Sequence, residues 1–177
     1  MTALSGSGVL SKARLAGAWA LEPGQSDIRL RATSFWGLVA VKGRFTGITG
    51  SGAVSHDGQA SGALRVAAAS IDTKNAKRDK HLRSPDFFDV ANYPEITFAV
   101  DGVELSGPAV CITGTLTVRG RTRPVTFDAV ASVQSENEIQ VDAAVHIDRA
   151  QFGMTWNWHR SISMDNTITV HAVFARR

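Results

Sequence analysis

The densest group of chemically versatile side chains is the run RDKHLRSPDFFD at residues 78–89. His81 is flanked by Asp79 and Asp86, and a histidine–carboxylate pair could move protons for a hydrolase or an isomerase. Arg78, His81 and Arg83 could instead hold a headgroup, since guanidinium donors suit oxyanions. A third reading is architectural. Asp79 would pair with an arginine, His81 would pack under one end of the fold, and Phe87 or Phe88 would meet an apolar interior. Adjacent side chains point to different sides, so one of the two phenylalanines at most is expected to face a cavity. The architectural reading is favoured over direct ligand contact, and the enzyme reading has no G-x-S-x-G elbow, Walker loop or dinucleotide fingerprint to stand on. The five histidines, His56, His81, His146, His159 and His171, are dispersed without metal-ligand spacing. Neither a metal nor a cofactor is expected.

A chain of 177 residues with 44% hydrophobic and 20% charged content is long enough for one domain with a real core. The formal charge is only +3 and the basic residues are scattered. A nucleic-acid surface needs clustered cations, so no nucleic-acid partner is expected. Cys111 is the one cysteine, which excludes an intrachain disulfide and reads as a small hydrophobe in a strand. Residues 1–17 are rich in Ser, Gly and Ala and read as a loosely held leader before a single domain at 18–177. They lack the apolar run of about 7–15 residues of a secretory signal. No window approaches the roughly 18 apolar residues of a membrane-spanning helix. The expectation is a cytoplasmic protein without membrane insertion.

The elements around the charged run are mostly strands. From Trp19 the pattern has period two, with Ile28, Leu30 and Ala32, then Val39, Val41 and Phe45, on one face. HDGQ at 56–59 reads as a hairpin turn. Alternation continues through Leu64–Ala68, Glu95–Val103, Val110–Val118, Val125–Val133, Ile139–Ile147 and Thr167–Phe174, with turns at Arg119–Arg123 and 135–138. About eight antiparallel strands result, to be closed as a barrel or paired as a sandwich. Two segments break the pattern. Residues 75–83 predict a short helix capped by Thr73 or Asn75 and stopped by Pro85. Residues 148–153 predict a short helical turn, in which Asp148 and Arg149 are expected to pair, followed by the aromatic run to Trp158.

These landmarks together resemble the YceI-like family of lipid- or polyisoprenoid-binding proteins. The similarity rests on S-I-D-T-K-N-A-K-R-D-K-H-L-R-S-P-D-F-F-D-V-A-N-Y-P-E-I-T-F at 70–98, which follows the family's hallmark pattern. V-K-G-R-F at 41–45, G-T-L-T-V-R-G-R-T-R-P-V at 114–125 and D-R-A-Q-F-G-M at 148–154 add to it, as does Ser26 with Ile28. The chain departs from relatives at Gln25, Leu30 and Ser34, where His, Phe and His are common, and in lacking their export signal. The resemblance implies an all-β, eight-stranded antiparallel, lipocalin-like barrel around a long apolar channel. It implies a non-enzymatic binder or carrier of one long-chain amphipathic lipid, most readily an isoprenoid, and a possible homodimer. Candidate channel or mouth residues on strands are then Val41, Phe45, Leu64, Val66, Phe98 and Phe127. Those outside strands are Phe35, Trp36, Phe87, Phe88, Phe152, Met154, Trp156 and Trp158, with Arg78, His81 and Arg83 as headgroup candidates. The competing readings are the His81-based enzyme and a solid-cored protein without a ligand.

Overall fold

The computed structural model describes residues 11–177. Residues 1–10 of the expected leader therefore lie outside the described residues. Ser11 caps the single-turn helix α1 (Lys12–Leu15) by accepting the Arg14 N–H, and Leu15 is buried. Strand β1 (Gly17–Leu21) follows directly.

Two long hairpin arms come next, each broken once. β1 and β2 (Asp27–Ser34) pair successively along β11 (Asp165–Arg176), with Leu21 opposite Phe174 and Asp27 opposite His171. They are thus two halves of one bent strand. At the bend Ser26 stands in for the missing ladder. Its hydroxyl accepts the Val173 N–H at 3.0 Å and donates to the Glu22 carbonyl at 2.8 Å. A buried ladder group must find some partner, and a hydroxyl that can donate and accept serves two at once. The return arm is β3 (Val39–Phe45) and β4 (Ile48–Val54), which pair with β2 and β1 respectively. β5 (Ala60–Ala67) bends through a 3-10 turn at Ala68–Ser70 into β6 (Ile71–Asp72), which pairs with β3.

Helix α2 (Ala76–Arg83) and the turns after it separate β6 from β7 (Glu95–Ser106). A meander of β8 (Ala109–Val118), β9 (Arg121–Ser135), β10 (Glu138–Asp148) and β11 completes the sheet. The ring runs β1, β4, β5, β7, β8, β9, β10, β11 and closes where Trp19 meets Arg176 on β1 and β11. The fold is an eight-stranded, closed antiparallel, lipocalin-like barrel, with the short helix and the helical turn as expected. Closure removes the edges that a sandwich would leave exposed. The β8–β9 turn is tighter than the sequence suggested. Arg119 (φ 50°) and Gly120 (φ 68°) form it alone, since two left-handed residues match the twist of the flanking strands.

The barrel has two unlike ends. One carries the β4–β5, β7–β8 and β9–β10 turns with α1. The other carries the β2–β3 tip, the α2 segment and residues 149–164. Dense core lies under the second end, where Phe45 meets the edge of Phe88 at 5.8 Å and where Ile71 and Phe152 are fully buried.

Candidate ligand-binding site

Alternation places the apolar face of each barrel strand inward, and the barrel is wide enough that these faces do not meet. A cavity of about 890 Å³ runs between them. Its wall includes Val41 and Phe45, Leu64 and Val66, and the paired rings of Phe98 and Phe127 at 5.6 Å. Towards the α1 end, the lining side chains of β4 and β5 shrink to Ser51, Gly52, Ala53, Ser61 and Gly62. Gly52 lies opposite Gly62, and a Cβ on Gly62 would stand 2.6 Å from the Ser51 carbonyl. These small residues give the channel its length, and sequence reasoning missed them. The visible signal was the G-S-G-A and A-S-G-A repetition at 50–53 and 60–63.

The α2 end holds the polar groups. Asn75 caps α2 by accepting the Arg78 N–H at 3.0 Å, and Ser84 ends it before Pro85. Asp79 is buried and does not pair with an arginine as expected. Its carboxylate accepts the Thr73 N–H at 2.9 Å and the Thr73 hydroxyl at 2.5 Å. Arg78 in turn donates to the Thr73 hydroxyl at 2.8 Å and to its carbonyl at 2.9 Å. Thr73 therefore sits between the two charges and fixes the helix to the strand before it. Arg83 donates to the Ala69 and Ile71 carbonyls, both at 2.8 Å, and does not line the cavity. Two of its donors bind backbone and it lies off the cavity lining, which corrects its reading as a headgroup contact.

His81 does line the cavity, as Arg78 does. Its Nε2 lies 2.8 Å from Asp86 Oδ2, and its ring meets Trp156 at 4.5 Å and Phe87 at 5.1 Å. Phe87 and Phe88 both line the cavity, contrary to the expectation for neighbouring residues. The strand rule does not apply because residues 84–89 are a compact turn, ending at Asp89 with φ 49°. Phe35, Phe152, Met154, Trp156 and Trp158 also contribute to the lining. Trp36 does not. It points to solvent at 74% exposure, because the left-handed tip turns it away from the barrel.

Arg149 is the residue that sequence reasoning misassigned. It does not pair with Asp148, which instead caps the 3-10 turn Arg149–Phe152 by accepting the Ala150 N–H at 2.9 Å. Arg149 is buried and lines the cavity. It donates to the carbonyls of Met154 at 2.5 Å, Trp156 at 2.9 Å and Ser163 at 3.1 Å. Its guanidinium stands 5.5 Å from the Phe87 ring centre, and Nη2 has no hydrogen-bond partner. Burial lowers its pKa from the ordinary value, with the Asp148 charge acting the other way. Together with Lys77 and Arg78 it makes one end of the cavity cationic, with the His81 ring beside them, and among the described residues no Asp or Glu lines the cavity.

The YceI-like domain matches residues 19–174, which is the barrel but for two residues at each end. The chain belongs to this family. Protein YceI of Escherichia coli O157:H7 is 47% identical over 66 residues, 37% of this chain and 35% of that protein. Protein YceI of Salmonella arizonae is 46% identical over 68 residues, 38% of this chain and 36% of that protein. The matched segment thus spans about a third of the length of these curated relatives. Among solved structures, Burkholderia cenocepacia BcnA superposes with a TM-score of 0.77 at 21% identity, over 86% of this chain and 98% of that one. A polyisoprenoid-binding domain from Saccharophagus degradans, implicated in plant cell wall breakdown, gives 0.74 at 17% identity, over 90% of this chain and 98% of that one. At these identities the YceI-like barrels share a fold, and the ligand must be argued from this chain's own cavity.

Proposed function

We propose that this YceI-like protein binds one long-chain amphipathic lipid, foremost an isoprenoid, and sequesters or carries it in the barrel. The observation that carries this reading is the cavity of about 890 Å³ with apolar walls and cations gathered at one end. Burying a tail there contributes about 0.8 kcal/mol per CH₂, so length supplies affinity without specific contacts. The head then lies against Lys77, Arg78, His81 and Arg149, which favour phosphate, carboxylate or other oxygen acceptors over a cationic group. A polyisoprenoid-binding domain on the same fold supports the choice of tail.

The test is to denature the purified protein in organic solvent and weigh the extract by mass spectrometry, alongside uptake of added prenol and prenyl phosphate. The expected results are a retained long-chain species and tighter uptake of the phosphate. A blank extract from several expression hosts, with no uptake of either lipid, would sink the proposal. A second reading, acid–base chemistry on a lipid-like substrate, is favoured only by the His81–Asp86 contact. Asp79 is committed to Thr73 and is not free to act as its partner. His81→Ala separates the two readings, since a binder keeps uptake of the uncharged prenol, whose tail supplies the affinity, whereas an enzyme loses turnover by about two orders of magnitude or more.

A further inference from the structure

Apolar side chains that face solvent crowd one end of the barrel. Among the described residues, Phe35, Trp36, Leu38, Val39 and Trp158 are exposed there; Tyr93 is exposed at the same end beside the β8–β9 turn, and Val130 lies away from it. Trp36 is 74% and Leu38 85% exposed. The β2–β3 tip is tied to the segment carrying Trp158, because the Trp36 N–H donates to the Ser161 carbonyl at 3.2 Å. Phe35 (φ 52°) and Trp36 (φ 55°) are both left-handed, an unfavourable conformation for bulky residues. The tip therefore presents its rings outward at some conformational cost.

Exposed cations stand around this patch, with Asp86 and Asp165 as acids at the same end of the barrel. Arg31, Lys42, Lys77 and Arg160 are exposed, and none of them takes part in an ion pair among the described residues. Residues 28–56 and 149–164, which build the tip and its neighbour, contain no Asp or Glu.

We propose that this end of the barrel docks on an anionic phospholipid bilayer, with Trp36 and Leu38 in the interface and the four cations over the headgroups. Tryptophan settles at the depth where one part of its ring is wet and another is apolar. Apolar insertion and cation–headgroup attraction reinforce each other at such a surface. A second copy of the chain fits less well, because a two-fold interface would set this surface against itself, cation facing cation with no carboxylate in either segment. The contact is shallow and interfacial. It revises the expectation of no insertion without requiring a spanning helix, and no described helix is long and apolar enough to be one.

Phe35 and Trp158 belong to both the patch and the cavity lining, so a docked barrel presents its cavity to the membrane beside them. That consequence, passage of a lipid between bilayer and channel without crossing water, rests on the lipid-binding reading. The docking itself rests on the surface alone.

Cosedimentation with vesicles of mixed phosphatidylglycerol and phosphatidylcholine tests it, with pure phosphatidylcholine vesicles as the comparison. The intact protein is expected to sediment with the mixed vesicles and to be released as salt rises from about 0.1 to about 0.5 M. Trp36→Ser combined with Leu38→Ser should lower partitioning roughly tenfold or more without moving the Tm. Arg31→Glu with Lys42→Glu should lower it as well, while uptake of prenyl lipid from detergent solution stays intact. No sedimentation above a lipid-free control would overturn the proposal. So would equal sedimentation of wild type and both double variants, or loss of a dimer by light scattering in the Trp36/Leu38 variant with no loss of vesicle binding. Uptake without vesicle binding refutes docking alone, whereas vesicle binding without uptake refutes the lipid-carrier reading alone.

Discussion

The two ends of the barrel are held together by arginines that work under opposite conditions. At the α2 end, buried Arg149 ties together three carbonyls of the 149–164 segment and packs on Phe87. At the α1 end, half-buried Arg176 donates to the carbonyls of Ala16 at 2.5 Å and Arg14 at 2.7 Å, and stacks 4.4 Å from the centre of Trp19. The bonding patterns are alike, but only Arg149 works out of water and on the cavity wall. The comparison teaches that the same chemistry serves as a fastener at one end and as both fastener and charge source at the other.

The sharpest way to break this comparison is to remove each arginine in turn. Arg149→Met should cost about 3–5 kcal/mol in urea unfolding, because three carbonyls lose their donor where water is scarce. It should also weaken retention of any lipid with an anionic head. A loss below about 1 kcal/mol would mean that the 149–164 segment holds itself. Arg176→Met should cost only about 1 kcal/mol and leave lipid uptake unchanged, since water can replace its bonds.

A second pair of variants contrasts packed core with cavity wall. Ala68 is 1% exposed under the α2 segment and does not line the barrel cavity, so Ala68→Trp should cost about 2–3 kcal/mol through overpacking. Ala143 lines the cavity, where a large side chain has room. Ala143→Trp should cost less than about 1 kcal/mol while blocking lipid uptake. Equal destabilisation by the two would return the solid-cored reading to the front.

The smallest expected effect is on the outer face, remote from both ends. The Asp142 carboxyl lies below its ordinary pKa, held there first by the Gln140 side chain and then by His171. Their hydrogen bonds to it are both 2.6 Å. A carboxylate lowered in the folded state adds stability above its unfolded pKa, and this is lost as pH falls through the folded value. Asp142→Asn should therefore flatten the acid limb of the stability curve below about pH 4, by less than about 1 kcal/mol because the pair is exposed. An unchanged acid limb would show that solvent screens the cluster completely.

What the sequence by itself determined was local. Period-two alternation marked eight strand segments and their inward faces, because a strand's side-chain direction is a property of neighbouring residues. Asn75, Pro85 and the apolar-poor run between them marked α2 for the same reason, and the order of motifs from Trp19 onwards pointed to the family. Tertiary structure decided everything that depends on residues distant in the chain. The meeting of β1 with β11 made a barrel rather than a sandwich. The strands' common curvature left a cavity between apolar faces that a sequence cannot distinguish from a packed core. Arg83 and Arg149 exchanged their expected roles, because the carbonyls that bind one and the cavity that borders the other come from separate segments. The run RDKHLRSPDFFD was legible as a helix and turn, but only folding showed Thr73 holding Asp79 and Arg78, and His81 left beside the channel.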